Sequence, residues 1–200
     1  MTIAVDPTGF SLRNISQHIE KRVKEFGVRS EIKREFVKTT FSVDTGSLMI
    51  LSCDRVDSHN ADVKRMEHAI TSLVKGGFVG CIVADKGYGA EHVHRDIHER
   101  LGAEAFIPVR NMSEPARSGS SNVRTSGLYR GRMKFFFDDK KYGQRSKVET
   151  VNSMVKRKMG DVVNSRISST SGAEVMLRAI AHNFHRLLEL KPESMEGMIS

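Results

Sequence analysis

Three acidic residues, Asp6, Asp85 and Glu149, stand at places in this sequence where carboxylates can do chemistry. Asp6 closes a short run, Thr2 to Val5, that reads as a strand ending in the turn-forming group Asp6-Pro7-Thr8-Gly9. Asp85 closes the most apolar run in the chain, Phe78 to Ala84, which suits a buried central strand. Open α/β sheets place their sites at or just past the C-terminal ends of strands. Each aspartate is followed within three residues by a glycine, Gly9 or Gly87, which would let the backbone turn close to a held group. For either residue alone, a turn or cap aspartate is the commoner role.

Glu149 brings the third carboxylate and a helical context. At about 100° per residue, Arg145, Glu149, Asn152 and Lys156 fall within about 60° of arc on a helix. Val148, Val151, Val155 and Met159 form a separate apolar stripe, so a helix over 144–159 is expected to bury its valines and place Glu149 beside the seam. An exposed Arg145–Glu149 pair at i, i+4 spacing would explain two of these residues but not Tyr142 or Lys156. Carboxylates without a competing thiolate or imidazole are the hard oxygen donors that Mg²⁺ prefers. Two such ions can clamp an in-line displacement at phosphorus.

The elements that must position these groups follow from pattern. A hairpin is expected from Glu35 to Val43, through Asp44-Thr45-Gly46-Ser47, to Leu48–Cys53. Helices are expected at about 15–24, at 60–75 ended by Gly76-Gly77, at 90–101 ended by Gly102, and at about 172–190 behind a serine-rich cap region. Ala105 to Val109 reads as a strand. The order is that of an α/β protein with a mixed sheet. It occupies one domain over 1–190, with a basic Ser/Gly-containing insertion loop at 111–141 and a flexible tail at 191–200.

Tyr142, Arg145, Glu149 and Lys156, separated by two, three and six residues, resemble the YREK signature of insertion-sequence transposases with a DDE catalytic triad. Asp85-Lys86-Gly87-Tyr88 resembles that family's segment around its second catalytic aspartate. Asp6-Pro7-Thr8-Gly9-Phe10 resembles the segment around the first, where a small residue is more usual than Pro7. The resemblance runs from about residue 2 to residue 188. It implies a ribonuclease-H-like fold, a mixed sheet flanked by helices, which the element order fits independently.

The activity it implies is metal-dependent cleavage at insertion-sequence ends, followed by strand transfer of the freed 3′-hydroxyl into target DNA. Asp6, Asp85 and Glu149 would be the catalytic and metal-holding residues, with Mg²⁺ as cofactor and Mn²⁺ as a substitute. Tyr142, Arg145 and Lys156 would contact phosphates or bases near the cut end, and a homodimer on DNA is expected. Two alternatives stay open: a ribonuclease-H-like nuclease that cuts without joining, and an inactive remnant that only binds DNA. Such transposases carry a helical DNA-binding segment ahead of the first catalytic strand, whereas five residues precede Asp6 here. The expectation is therefore the core of a longer protein.

Charge points the same way. The net +8 is concentrated: residues 110–158 hold 13 basic and 4 acidic side chains, and the other 151 residues net −1. Lys134, Lys140, Lys141, Lys147, Arg157 and Lys158 bracket the Glu149 helix and would contact phosphates without reading sequence. Phe135-Phe136-Phe137 is read as a strand with one face in the core rather than as a base-stacking platform. No apolar run approaches the roughly 18 residues of a membrane span. With Cys53 and Cys81 its only cysteines, the chain is no disulfide scaffold, and both are read as free thiols in a cytoplasmic protein. His92, His94 and His98 lack the glutamate of a zinc-protease helix, and His182 and His185 read as satisfied surface or boundary residues.

Overall fold

The structure, a computed structural model, describes residues 1–12, 36–56, 62–76, 79–109, 127–133, 135–165 and 168–190. The helix expected at 15–24, most of the basic loop, Lys134 and the tail at 191–200 lie outside the described residues. The strands are β1 (Thr2–Leu12), β2 (Phe36–Asp44), β3 (Ile50–Val56), β4 (Cys81–Ala84), β5 (Glu104–Phe106) and β6 (Val162–Val163). The helices are α1 (Asp62–Gly76), α2 (Glu91–Leu101), α3 (Leu128–Met133), α4 (Asp139–Gly143), α5 (Ser146–Met159) and α6 (Ser168–Leu190). The strand order is β3-β2-β1-β4-β5, with β6 paired to the end of β1. β1 runs antiparallel to β2 and parallel to β4 and β6, so the sheet is mixed as expected.

The first strand departs from the sequence reading. It does not stop at Asp6-Pro7 but continues to Leu12, and Gly9 makes no turn. β4 pairs with β1 only as far as Val5, and β6 joins only at Ser11, so from Asp6 to Phe10 one side of β1 has no strand beside it among the described residues. Proline, which lacks an N–H, is tolerated at such an unpaired edge. Residues 128–133 and 139–141, expected inside the basic loop, belong to α3 and α4 instead, and α4 runs on to Gly143. Glu91 accepts hydrogen bonds from the N–H groups of Tyr129 and Arg130, supplying the start of α3 with an anionic cap. The expected aromatic strand is absent as well. Phe135 and Phe136 lie in a turn, 82% and 72% exposed, and only Phe137 packs inward, against Phe106.

Alternation along β1 and β4 divides the core. Ile3, Val5, Ile82 and Ala84 face α1 and α2, together with Met66, Ile70, Val93 and Ile97. Ala4, Phe10, Cys81 and Val83 face α5 and α6, together with Val148, Val151, Val155 and Val175. The valine stripe of α5 is thus buried as its spacing predicts. Asp6, two residues after Ala4, shares the α5 side because side chains alternate along a strand. Arg178 of α6 locks the far end of this layer by donating to the carbonyls of Gly160 and Val162 and pairing with Glu174.

His94 of α2 is fully buried, and among the described residues neither ring nitrogen has a hydrogen-bond partner. Burial, aided by the nearby Arg130 and His98 and opposed by Glu91, pushes its pKa down from 6.5 to about 4. Between those values the unfolded chain takes up a proton that the folded chain refuses, so stability falls as pH falls. The expected loss is roughly 2 kcal/mol at pH 5 relative to neutral pH. Urea unfolding of wild type and His94→Leu at pH 7.5 and 5 checks this: the variant should show a smaller acid loss by about that amount. His182, read as a surface or boundary residue, is buried too, with Nε2 on the Leu48 carbonyl at 2.9 Å. Among the described residues no helix is long and apolar enough to cross a membrane.

Candidate active site

Parallel pairing sets the two aspartates side by side. Val5 stands opposite Ala84, so Asp6 and Asp85 are the next residues in register, just where β4 ends. Asp85 opens a single 3₁₀ turn, Lys86–Tyr88, and its Oδ1 accepts the Lys86 N–H at 2.7 Å. Tyr88 anchors that turn in the core, and Gly89 lies so near the Pro108 carbonyl that a Cβ would come within 2.7 Å of its oxygen. A side chain there would displace the turn that carries Asp85. The glycine the site requires is thus Gly89, which the sequence reading did not single out.

Glu149 lies in the first turn of α5, whose valines fix its rotation. The link between helix and sheet is Arg145. Its Nη1 is 3.5 Å from Asp6 Oδ1 and its Nη2 2.6 Å from Glu149 Oε1. Burial works to lower the Arg145 pKa, but Glu149 first, then Tyr142, Asp6 and Asp85, outweigh it and hold the guanidinium above its usual value. All three carboxylates therefore act on one cation. Asn152, one turn after Glu149 and buried, directs Nδ2 toward Asp6 Oδ2 at 3.5 Å. The spacing of α5 had placed Asn152 on the functional stripe without giving it a role.

A cleft of about 600 Å³ opens beside Asp6 and Glu149, lined also by Thr8, Asn152, Lys156, Arg157 and Asp161. Lys156 holds its ammonium 5.5 Å from the centre of the Phe10 ring, a cation–π contact that keeps it on the cleft wall. Asp161 was not anticipated. It falls in the short link before β6, a strand of two residues that no periodicity can reveal. Tyr142, on α4, packs its ring 5.2 Å from Phe137. The other cations are dispersed. Lys141 pairs with Glu104 at 2.7 Å, beside the start of β4, whereas Asp85 follows its end. Lys158 pairs with Glu189 of α6, and Lys140, Lys147 and Arg157 are exposed.

A mixed sheet of this order, with one acid midway along β1, another just past the end of β4 and a third on the helix packed across them, is a ribonuclease-H-like arrangement. The family model described as "Transposase DDE domain" matches residues 1–184, and the chain belongs to that family. No curated protein matches it. Among solved structures, the fold is similar to that of the piggyBac transposase in a synaptic complex with hairpin DNA, at a TM-score of 0.53 and 11% identity. The match covers 96% of this chain and 48% of the other, so the chain spans about half the length of that relative.

DDE transposase domains generally use divalent metal ions. The donor chemistry here fits that use: Asp6 and Glu149 are hard carboxylates drawn to one positive charge, and Asp85 follows β4 at the position next to Asp6 in strand register. Among the described residues, however, no three His, Cys, Asp or Glu side chains are grouped to hold a metal. The cation that Asp6 and Glu149 share in this arrangement is Arg145.

Proposed function

We propose that this chain is the catalytic core of a metal-dependent DNA transposase that cleaves DNA at insertion-sequence ends and joins the freed 3′-hydroxyl to target DNA. The observation that carries this reading is the meeting of Asp6 and Glu149 on Arg145, with Asp85 next to Asp6 in strand register, beside a cleft walled by Lys156 and Arg157. In the first step water attacks phosphorus and the 3′-oxygen leaves. In the second, that 3′-hydroxyl attacks a target phosphodiester and displaces the target's own 3′-oxygen. Asp6, Asp85 and Glu149 would hold Mg²⁺, or Mn²⁺ in its place, which when bound supplies a nucleophile and stabilises the leaving oxygen.

The chain's own residues do the rest. Asn152 and the packing of β1 fix Asp6, and the valines of α5 fix Glu149. Arg145 passes its guanidinium from the carboxylates to a DNA phosphate, for which its fork is suited. Tyr142 lies near the same cut end. Lys156 and Arg157 hold the backbone that enters the cleft. Lys134, Lys140, Lys141, Lys147 and Lys158 are proposed as further phosphate contacts, with Lys141 and Lys158 first released from their glutamates. The protein would act in the cytoplasm on nucleoid DNA, as a homodimer.

Incubating the chain with a duplex bearing the ends of the element that encodes it tests this directly. Cleavage that requires Mg²⁺ or Mn²⁺ is the expected result; cleavage unaffected by chelator would overturn the reading. The cleft cations make a separate prediction. Lys156→Ala with Arg157→Ala should weaken DNA binding across all sequences and reduce the slope of log K against log salt by about 2. Fluorescence anisotropy between low and moderate salt measures both. Loss confined to one sequence would mean that these residues read bases instead.

A further inference from the structure

α6 carries a surface that the catalytic reading does not use. Val175, Ala179 and His182 bury one side of the helix in the core. Asn183 fixes its rotation, accepting the Ile50 N–H at 2.8 Å and donating to the Ile50 carbonyl at 2.7 Å on the edge strand β3. The side held outward displays Met176, Leu177, Ile180, Phe184, Leu187 and Leu188, with Leu177 and Phe184 each 64% and Leu188 72% exposed. At 100° per residue these six, with Ala173 and Ala181, occupy about 140° of arc that holds no polar or charged side chain between Ala173 and Leu188. They leave on the order of 700 Å² of apolar surface open, more than the roughly 300–600 Å² of the largest patch on a typical monomer. It approaches the roughly 800 Å² that each partner contributes to a standard interface.

We infer that this face of α6 is where two copies of the chain pair, helix against antiparallel helix, about a two-fold axis between Ile180 and Ala181. The stripe is complementary to itself under that operation. Ala173 meets Leu188 of the partner, Leu177 meets Phe184, and Ile180 meets Ala181, so large side chains oppose small ones at the centre and at both ends. The same operation sets Glu174 and His185, which flank the stripe, level with Leu187 and Met176 of the partner, so the charged groups border the apolar contact rather than lie within its arc. The inference names the surface for the homodimer proposed above. It lies apart from the residues that line the cleft, so pairing and cleavage can fail separately.

Sedimentation equilibrium of the full chain without DNA, at about 50 µM, tests it. Wild type should be dimeric, and Leu177→Glu and Phe184→Lys should each be monomeric with unchanged circular dichroism. The double variant Leu177→Glu/Phe184→Lys should regain the dimer, because each glutamate would face a lysine of the partner, whereas the two positions in one chain are seven residues apart. A monomeric wild type would overturn the proposal and show that another part of the chain, or a different protein, covers the stripe. Single variants that stay dimeric would place the interface elsewhere. A double variant that stays monomeric would rule out the antiparallel register.

Discussion

Glu149→Gln is expected to lower metal-dependent cleavage at least about 10³-fold, or roughly 4 kcal/mol of barrier, while leaving the thermal midpoint within about 2 °C. The two halves of that expectation have different origins. Glu149 is half exposed and its main contact is the Arg145 guanidinium at 2.6 Å, an ion pair of the kind that contributes little to stability. The position of α5 is set instead by Val148, Val151 and Val155, which the substitution does not touch. Glutamine keeps the shape of the side chain but removes the negative charge that a divalent ion needs. Measuring the cleavage rate at saturating Mn²⁺ together with a melting curve separates a lost ligand from a lost fold. Wild-type cutting by the variant would mean that Glu149 is an ordinary helix-surface acid.

Arg145→Ala has the more unusual expected outcome, because two readouts should move in opposite directions. Arg145 touches both Asp6 and Glu149, and its charge competes with any other cation for those carboxylates. Its removal should raise Mn²⁺ affinity in the absence of DNA about tenfold, equivalent to roughly 1.4 kcal/mol. The variant should nevertheless cleave about 10²-fold more slowly, because a bidentate phosphate contact is lost with the guanidinium. Mn²⁺ titration by electron paramagnetic resonance and single-turnover cleavage report the two quantities separately. A fall in metal affinity would show instead that Arg145 organises the carboxylates for the ion.

Much of this site was legible because helical periodicity is robust over fourteen residues. The spacing of Glu149, Asn152 and Lys156 against Val148, Val151 and Val155 survives intact in α5, with Arg145 at its N-cap. The run that became β4 was equally plain, since a strand covered on both faces must be apolar throughout. What misled was local chemistry overruled by neighbours. Pro7 and Gly9 are turn-formers, yet they sit inside an eleven-residue strand because pairing with β2 continues past the end of β4. Phe135 and Phe136 have the composition of a strand, yet they follow directly on α3 and end in a turn on the surface. The Arg145 bridge depends on contacts between residues 139 apart in the chain, which no local pattern encodes.

Asp6, Asp85 and Glu149 are proposed to run phosphoryl transfer on DNA together. Strand transfer from a pre-cut end tests this most directly, because the substrate supplies the 3′-hydroxyl and bypasses the first cleavage. With labelled, pre-cut element-end duplex, plasmid target and Mg²⁺, the protein should produce joined products longer than the substrate. Asp6→Asn, Asp85→Asn and Glu149→Gln should each abolish them. Equal yields of joined product from wild type and Asp85→Asn would contradict the account.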